Sequence, residues 1–241
     1  MKFSLFRAAA VGLALAMLPL QASAQELSGK KIGIAAREIT NDYNRDIIAG
    51  AREVLEKAGA EVVVTDGGGD PRKHNENIEN LVNSGVAGIV VQLGDAQQLE
   101  PVVAKANDAG IPVVTTSVGA TTPGALADVG GDDALMSAMM SRALLSSIDY
   151  KGDVYVFWVP GAPLLETRKR ILEALAADYP QVTLHEVPTE HSVARVQTQM
   201  EDLLTANPAP GSIAAVWGAY DLLTSGAVEA IRRNGCTEIK A

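Results

Sequence analysis

Short apolar runs alternate along the chain with longer amphipathic stretches, and most of these stretches end at a glycine. The first four apolar runs are KIGIAA at 31–36, EVVVTD at 61–66, GIVVQL at 88–93 and IPVVTTS at 111–117. Nearly continuous apolar runs are typical of parallel strands that are covered on both faces. The pattern therefore predicts four buried parallel strands in this part of the chain.

The stretches between these runs carry their apolar residues at helical spacing. Helices are predicted over 43–58, 71–84 and 96–109, and each has a glycine placed to end it. Pro101 lies inside the third pattern, so we expect that helix to kink or restart there. Strands and helices in regular alternation predict a doubly wound α/β layer with right-handed crossovers.

The alternation begins again after a predicted helix at 133–147. The later strands are predicted at 154–159, 183–188 and 212–218, and the later helices at 165–178, 193–206 and 221–234. We therefore predict an α/β protein with two doubly wound parallel-sheet lobes, an N-terminal lobe over 25–147 and a C-terminal lobe over 148–241.

The last residues, TEIKA at 237–241, have the pattern of a strand that has only begun. A strand cut at its first residues would leave its neighbour with an open edge, which native proteins avoid. We therefore expect the second lobe to be incomplete and the sequence to be a C-terminally truncated version of a longer protein.

Residues 1–24 have the pattern of a secretory signal peptide. Lys2 and Arg7 give a positive start, an apolar run of 13 residues follows at 8–20, and Ala22-Ser23-Ala24 is a small-residue cleavage pattern. The run is short for a bilayer span, although a membrane anchor or a buried N-terminal helix is the alternative interpretation. We expect cleavage after Ala24 and a periplasmic location.

The charge balance narrows the class of partner. Without Lys2 and Arg7 the chain keeps 18 basic and 29 acidic residues, a formal charge of −11. Neither nucleic acid nor an anionic membrane attracts such a charge over a long range, so neither is expected as a partner.

Cys236 is the only cysteine, which excludes an internal disulfide. We expect a soluble monomer without a cofactor.

The stretch VTDGGGDPRKHN at 64–75 could be a phosphate loop or a tight turn. A P-loop needs Lys-Ser or Lys-Thr after its last glycine, and a dinucleotide fingerprint needs a third glycine at a fixed spacing; neither is present. Asp70-Pro71 is instead typical of a helix N-cap followed by proline at the first helical position. We therefore predict a turn, with the aspartate occupying the free N–H groups of the next helix.

The residues that usually carry enzyme chemistry lack the required spacing. The three histidines, His74, His185 and His191, form no metal-binding pattern with each other or with Cys236. The nucleophile pattern Gly-x-Ser-x-Gly is absent. We therefore predict a protein that is not an enzyme and has no metal site.

Polar and aromatic residues follow the ends of the predicted strands. In open α/β sheets the ligand crevice lies at the carboxyl ends of the strands. We therefore predict that the ligand-binding residues are Arg37, Asn41, Tyr43, Asn44, Gln92, Ser117, Trp158, Arg168, Trp217, Tyr220 and Asp221.

These residue types suit a sugar, because aromatic faces stack on its C–H side while amide, carboxylate and guanidinium groups bind its hydroxyls. Two structural alternatives stay open. Each tryptophan could be a core residue whose N–H meets an acceptor. Tyr43 and the asparagines beside it could belong to a helix cap, for which Asn41 or Asp42 would suffice.

Three segments resemble the periplasmic sugar-binding proteins of the ribose-binding type, which serve ABC importers. They are KIGIAAREITNDYNRDIIAGAREVLEKAGAEVVV, AGIVVQLGDAQQLEPVVAKANDAGIPVVTTS and AAVWGAYDLLTSGAVEAIRRNG. The resemblance covers essentially all of 30–241. It implies a type I periplasmic-binding fold, in which two hinged lobes close on a solute without chemistry and present it to the membrane permease.

The resemblance also implies roles for individual residues. The family's first-loop ligand contacts fall on Asn41, Tyr43 and Asn44, and the arginine that opens the second-domain helix falls near Arg168. We therefore expect a sugar or a sugar-like polar solute as the ligand. A ligand-sensing role, in which the closed lobes dock on a chemoreceptor or sensor kinase, is the alternative function.

The chain departs from the family pattern at two ligand positions. The family's Asn-Asp pair falls on Tyr220-Asp221, and its Asp-Arg pair falls on Ser117-Val118. These departures leave a polyol, a modified sugar or another small polar solute as alternatives to a ribose- or galactose-like ligand.

Overall fold

The computed structural model describes residues 27–241, which form two parallel β-sheets packed against helices. The first sheet contains β1 (Lys31–Ala36), β2 (Glu61–Asp66), β3 (Gly88–Gln92), β4 (Val113–Thr116) and β5 (Asp128–Val129). The second sheet contains β6 (Gly152–Trp158), β7 (Val182–Pro188) and β8 (Ala215–Gly218). The predicted signal peptide lies outside the described residues.

Helices connect the strands of both sheets in the predicted alternation. They are α1 (Asp42–Lys57), α2 (Pro71–Asn83), α3 (Ala96–Asp108), α4 (Asp133–Ser147), α5 (Pro163–Ala176), α6 (Val193–Ala206) and α7 (Asp221–Arg233). Helices α4 and α6 begin and end at the predicted residues, and the others differ by one or two. Hydrophobic periodicity therefore predicts the elements of this chain closely.

The strand order in each sheet reverses beside the first strand of that sheet. The orders are β2-β1-β3-β4-β5 and β7-β6-β8, and all neighbouring strands are parallel. At such a switch point the loops on either side leave in opposite directions and open a crevice at the carboxyl edge. The two crevices therefore lie beyond the ends of β1 and β6, next to Ala36 and Trp158.

Helix α3 continues through Pro101 and does not restart there. The Asp95 side chain accepts hydrogen bonds from the backbone N–H groups of Gln97 and Gln98, which caps the first turn. Leu99 and Val103 on either side of the proline are almost completely buried in the first core. Packing therefore outweighs the single backbone hydrogen bond that proline removes.

Helix α4 packs against elements of the second sheet, although the predicted boundary at 147/148 assigns it to the first lobe. It contacts α5 and β8, and Leu144 is part of the core that surrounds β6. Ser137 Oγ also donates a 3.0 Å hydrogen bond to the carbonyl of Arg168 on α5. The lobe boundary at 147/148 stays a prediction, and these contacts connect α4 to the second sheet.

The glycine-rich stretch is a turn, as predicted. Gly68 and Gly69 have φ values of 61° and 83°, which residues other than glycine rarely adopt. The Asp70 side chain accepts a 2.8 Å hydrogen bond from the Arg72 N–H at the start of α2, and this bond lowers the pKa of the carboxyl. The helix N-terminus is therefore occupied by the protein's own carboxylate.

The predicted strand at 237–241 makes only an isolated parallel bridge between Lys240 and Ala215. The Val216 N–H donates to the Lys240 carbonyl at 2.8 Å. A cavity of about 220 Å³ lies beside this bridge and is lined by residues including Leu204, Ile213 and Cys236. Its lining comes from the end of α6 and from the segments that follow α6 and α7, so the cavity lies at the edge of the sheet opposite the crevice.

Candidate ligand-binding cleft

The carboxyl edges of the two sheets approach each other. Gly119 follows β4 and Leu164 is in the first turn of α5, and a Cβ placed on Gly119 would lie 2.5 Å from Leu164 Cδ1. Glu38 follows β1, and its negative charge is close enough to Tyr220, which follows β8, to help raise the pKa of that phenol. Loops from both sheets therefore line one shared cleft.

Two buried amides form the base of the first wall. Gln92 at the end of β3 and Asn44 on α1 are 0% and 1% exposed, and Gln92 Nε2 donates a 2.7 Å hydrogen bond to Asn44 Oδ1. Gln92 Oε1 accepts from the Arg37 N–H at 3.3 Å, and Asn44 Nδ2 donates to Glu38 at 3.4 Å. The two amides therefore position the β1–α1 loop, and their direct contact with a ligand stays a prediction.

Arg37 holds the same loop against the glycine turn. Its Nε donates a 2.9 Å hydrogen bond to the Gly69 carbonyl, and burial lowers the pKa of the guanidinium. A Cβ on Gly67 would lie 2.8 Å from the Arg37 carbonyl, so the backbone of the turn packs closely on this loop. Arg37 therefore contacts the glycine turn directly, and its contact with a ligand stays a prediction.

Helix α1 begins with a side-chain cap, which is the structural alternative to ligand binding that the sequence left open for Asn41. Asn41 Oδ1 accepts a 2.9 Å hydrogen bond from the Asn44 N–H, so Asn41 is the N-cap residue. Tyr43 in the first turn is 56% exposed, and its hydroxyl lies 2.9 Å from Ser117 Oγ at the end of β4. Tyr43 therefore presents an accessible aromatic ring at the rim of the first wall.

Ser117 has a left-handed backbone with φ of 58°, which is uncommon for a residue with a side chain. Its N–H donates to the Val129 carbonyl at 3.1 Å, and its hydroxyl contacts Tyr43. Such a conformation persists only where surrounding contacts fix it, and it is frequent at ligand sites. Ser117 is therefore held in a fixed position beside Tyr43.

Both tryptophans are 6% exposed and belong to the core of the second sheet. The Trp158 indole N–H donates a 3.2 Å hydrogen bond to Glu166 Oε1, and Lys169 Nζ lies 4.6 Å from its ring centroid. This burial favours the core interpretation for Trp158 and Trp217, and their stacking on a sugar stays a prediction.

Arg168 connects three elements behind the second wall. Its guanidinium forms a two-nitrogen ion pair with Asp133 of α4, and Nε lies 2.9 Å from Asp133 Oδ1. Nη1 donates a 2.8 Å hydrogen bond to the Ala219 carbonyl in the β8–α7 loop. The arginine is therefore committed to protein acceptors and fixes the backbone beside Tyr220.

Tyr220 and Asp221 lie at the start of α7, where they form the rim of the second wall. Tyr220 is half-buried and its hydroxyl is 2.8 Å from His191 Nδ1 in the loop after β7. Burial raises the pKa of Tyr220 to about 12, and the charges of Glu38 and Asp221 add to the rise. The phenol therefore stays protonated at neutral pH and can donate a hydrogen bond.

Two residues of the cleft were missed by sequence reasoning. Glu38 follows Arg37 directly at the end of β1, and His191 follows β7, so the strand-end rule covers both. From the sequence, the histidines were considered as metal ligands, and Asp221 was the one carboxylate predicted to bind the ligand. Applied to every polar residue beyond a strand, the same rule would have found them.

The accessible groups of the cleft are hydrogen-bonding and aromatic, as in sites for small polar molecules. Within residues 27–241, no group of three His, Cys, Asp or Glu side chains lies close enough to hold a metal ion. In the same part of the chain, no helix combines the length and apolarity needed to cross a membrane.

Two parallel-sheet α/β units whose strand-end loops share one cleft have the architecture of the type I periplasmic-binding proteins, as predicted. The chain belongs to the periplasmic binding protein domain family, which matches residues 32–241. Solved structures agree with this assignment. A Rhodobacter sphaeroides ABC sugar transporter subunit is similar with a TM-score of 0.81 and 26% identity over 88% of this chain and 77% of that one.

A second similar structure is an ABC transporter solute-binding protein from Agrobacterium vitis with bound allitol. It has a TM-score of 0.81 and 28% identity, and the match covers 89% of this chain and 75% of that one. Among curated proteins, the ribose import binding protein of Bacillus subtilis is 27% identical over 206 residues. That match covers 85% of this chain but 66% of the relative, so the chain spans just under two thirds of that relative's length.

Proposed function

We propose that this protein is the solute-binding receptor of an ABC importer and that it binds a sugar or polyol in the shared cleft without changing it. The observation that carries the proposal is the placement of Tyr43 with Ser117 on one wall and Tyr220 with His191 on the other. Similarity to a ribose import binding protein and to a solute-binding protein with bound allitol supports this ligand class.

Binding would couple to closure because the ligand contacts both walls. A ligand that hydrogen-bonds Tyr43 and Ser117 on the first wall and Tyr220 and Asp221 on the second gains most when the walls are close. It therefore stabilises the closed arrangement by its differential affinity for that arrangement. The membrane permease would then recognise the closed form as the signal that a solute is bound.

The predicted site residues divide into two groups in this proposal. The contact group is Tyr43, Ser117, Tyr220 and Asp221. The positioning group lies behind these side chains and consists of Arg37, Asn41, Asn44, Gln92, Trp158, Arg168 and Trp217. Tyr43, Tyr220 and Asp221 are assigned to the contact group because they are at least partly exposed, and Ser117 because its hydroxyl bonds to Tyr43. The hydrogen-bonding groups of Asn44, Gln92 and Arg168 are already partnered inside the protein.

We also propose that the chain crosses between the lobes at Gly130-Gly131 and that α4 belongs to the second lobe. The support is the packing of α4 on α5 and β8 and the ion pair between Asp133 and Arg168. Export to the periplasm through residues 1–24 and a monomeric state belong to the same proposal. The relatives named above are transport proteins, so the proposal is transport and does not extend to a sensory role.

The proposal is tested by calorimetric titration and thermal shift with ribose, xylitol, allitol and D-allose. We expect at least one to bind, and a ligand at 100 times its dissociation constant should add about 2.7 kcal/mol of stability. Mass spectrometry of the recovered ligand should show it unchanged.

A pair of variants tests whether that binding occurs in the cleft. Tyr43→Ala should weaken it about tenfold, because removing an accessible aromatic contact costs roughly 1–2 kcal/mol. Tyr150→Ala removes a tyrosine that stacks on Tyr179 outside the cleft and should leave the affinity unchanged. Failure of all four solutes to bind, or turnover of one, would contradict the proposal.

A further inference from the structure

Glu38 carries a carboxylate at the point where the strand order of the first sheet reverses. It follows β1, two residues after Ala36, and its side chain is partly exposed. It belongs neither to the predicted site residues nor to the contact group above. Its position makes it a candidate for the residue that selects which small polar molecules enter the cleft.

The carboxylate accepts hydrogen bonds from three residues of the same loop and helix start, of which Asn44 is buried. Oε1 accepts long hydrogen bonds of 3.4 Å from Asn41 Nδ2 and Asn44 Nδ2, and Oε2 accepts one of 3.3 Å from Thr40 Oγ1. Asn44 is in turn fixed by Gln92, which is fully buried. One contact of Glu38, the one with Asn44, therefore ties it to the packed base of the wall.

Glu38 keeps both charge and hydrogen-bonding capacity for a ligand. Its three donors are neutral, and among the described residues no basic side chain pairs with it as Arg168 pairs with Asp133. A carboxylate has about four acceptor sites, and bonds of this length are weaker than those near 2.8 Å. A ligand hydroxyl can therefore gain shorter and stronger hydrogen bonds from Glu38 than its own loop provides.

The opposite wall adds a second carboxylate and a protonated phenol. Asp221 is exposed at the rim beside Tyr220, and the charges of both Asp221 and Glu38 act on the Tyr220 hydroxyl. A ligand carboxylate or phosphate between these walls would meet like charges on both sides, which costs several kcal/mol at an interface. All three guanidinium nitrogens of Arg168 bond to Asp133 or to the Ala219 carbonyl. Arg37 donates from Nε to the Gly69 carbonyl, and its charge is offset by that of the neighbouring Glu38.

We propose that Glu38 is a specificity-determining residue that accepts hydrogen bonds from ligand hydroxyls and excludes anionic solutes. The ligand class is then an uncharged polyhydroxyl compound, an alditol or an aldose, and not a sugar acid or a sugar phosphate. The inference rests on the proposed function of the cleft, and it restricts the expected ligands to uncharged compounds.

The test compares neutral and acidic forms of the same carbon skeleton by titration calorimetry on the full chain. The probe pairs are xylitol with xylonate, allitol with allonate, and ribose with ribonate. We expect at least one neutral compound to bind and its acid to bind at least about thirtyfold more weakly, given the cost of like charges. The Glu38→Gln variant should bind the neutral compound about tenfold more weakly than the wild type does. It should bind the corresponding acid more tightly than the wild type does.

Glu53→Gln is the matched control, because it makes the same change on the exposed side of α1, where Glu53 pairs with Lys57. It should leave both affinities unchanged. An acid that binds as tightly as its neutral partner, or a preference that survives Glu38→Gln, overturns the role of Glu38 and leaves the receptor function intact. Failure of all six compounds to bind contradicts the receptor function and this inference together. The comparison of neutral and acidic compounds on the wild-type protein does not depend on the folding of any variant.

Discussion

Gln92 Nε2 donates a 2.7 Å hydrogen bond to Asn44 Oδ1 in a place that water hardly reaches. The bond joins the end of β3 to the first turn of α1, so the two strand-end loops at the switch point of the first sheet are fixed to each other. Rigid support of this kind is what a binding rim requires, since loose contacts lower affinity.

Asn44→Ala should destabilise the protein by about 2 kcal/mol, because it leaves the buried amide of Gln92 without its partner. Urea unfolding monitored by circular dichroism measures the change. Gln97→Ala, which truncates an exposed amide on α3, is the control and should alter stability by less than about 0.5 kcal/mol. Equal effects of the two variants would show that the buried amide pair does not support the rim.

Arg168→Ala should cost about 3 kcal/mol of stability, because the mostly buried Asp133 carboxylate loses its partner. The double variant Arg168→Ala with Asp133→Ala should recover part of that loss, since the unpaired charge is then gone. The same urea titration measures both. A double variant whose loss equals the sum of the two single losses would contradict the coupling between α4 and α5.

The two glycines inside helices should respond to alanine in opposite directions. A Cβ on Gly226 would lie 2.6 Å from the Val193 carbonyl, so Gly226→Ala should separate α6 from α7 and cost about 1–3 kcal/mol. Gly50 on α1 has no atom within 4 Å of such a Cβ, so Gly50→Ala should stabilise by about 0.5–1 kcal/mol. Thermal unfolding of both variants checks the contrast, and shifts of the same sign would contradict it.

His74 should make stability depend on pH. It is buried under the glycine turn with Nε2 3.1 Å from the Ala35 carbonyl, and burial lowers its pKa below the ordinary value of 6.5. Above pH 6.5 its contribution is fully present. Below 6.5 the unfolded chain takes up the proton first, so stability is lost as the pH falls toward and through the folded pKa, by at most about 1.4 kcal/mol per pH unit.

His74→Gln keeps a nitrogen donor in the same region without titrating there. Comparing urea unfolding at pH 7.5 and pH 5.5, we expect the wild type to lose more stability than the variant. Because the other titrating groups are common to both proteins, the difference isolates His74. Parallel losses in the two proteins would contradict a depressed pKa in the folded state.

The fold could be predicted from the sequence because its signals are local. Apolar runs and helical spacing gave the strands and helices, and Asp70-Pro71 gave the turn. The position of α4 could not be predicted this way, because its apolar and polar residues are spread around the whole helix and favour no single face. The choice between the two sheets depends on partners such as Arg168, which is distant in sequence.

The candidate site was predicted as a region and less well as individual side chains. The strand-end rule placed Tyr43, Ser117 and Tyr220 at one cleft. It could not show that Trp158 is enclosed by its own core or that Arg168 is paired with Asp133, because both depend on neighbours brought together by packing. Residue type alone does not reveal whether a polar group is already satisfied.

Hydrogen–deuterium exchange with and without the tightest neutral solute tests the shared cleft most directly. We predict slower exchange in both rim segments, 37–44 and 217–221, and no change in 204–213, which borders the cavity at the far edge of the second sheet. Protection of only one rim, or protection at 204–213 in place of the rims, would contradict binding between the two walls.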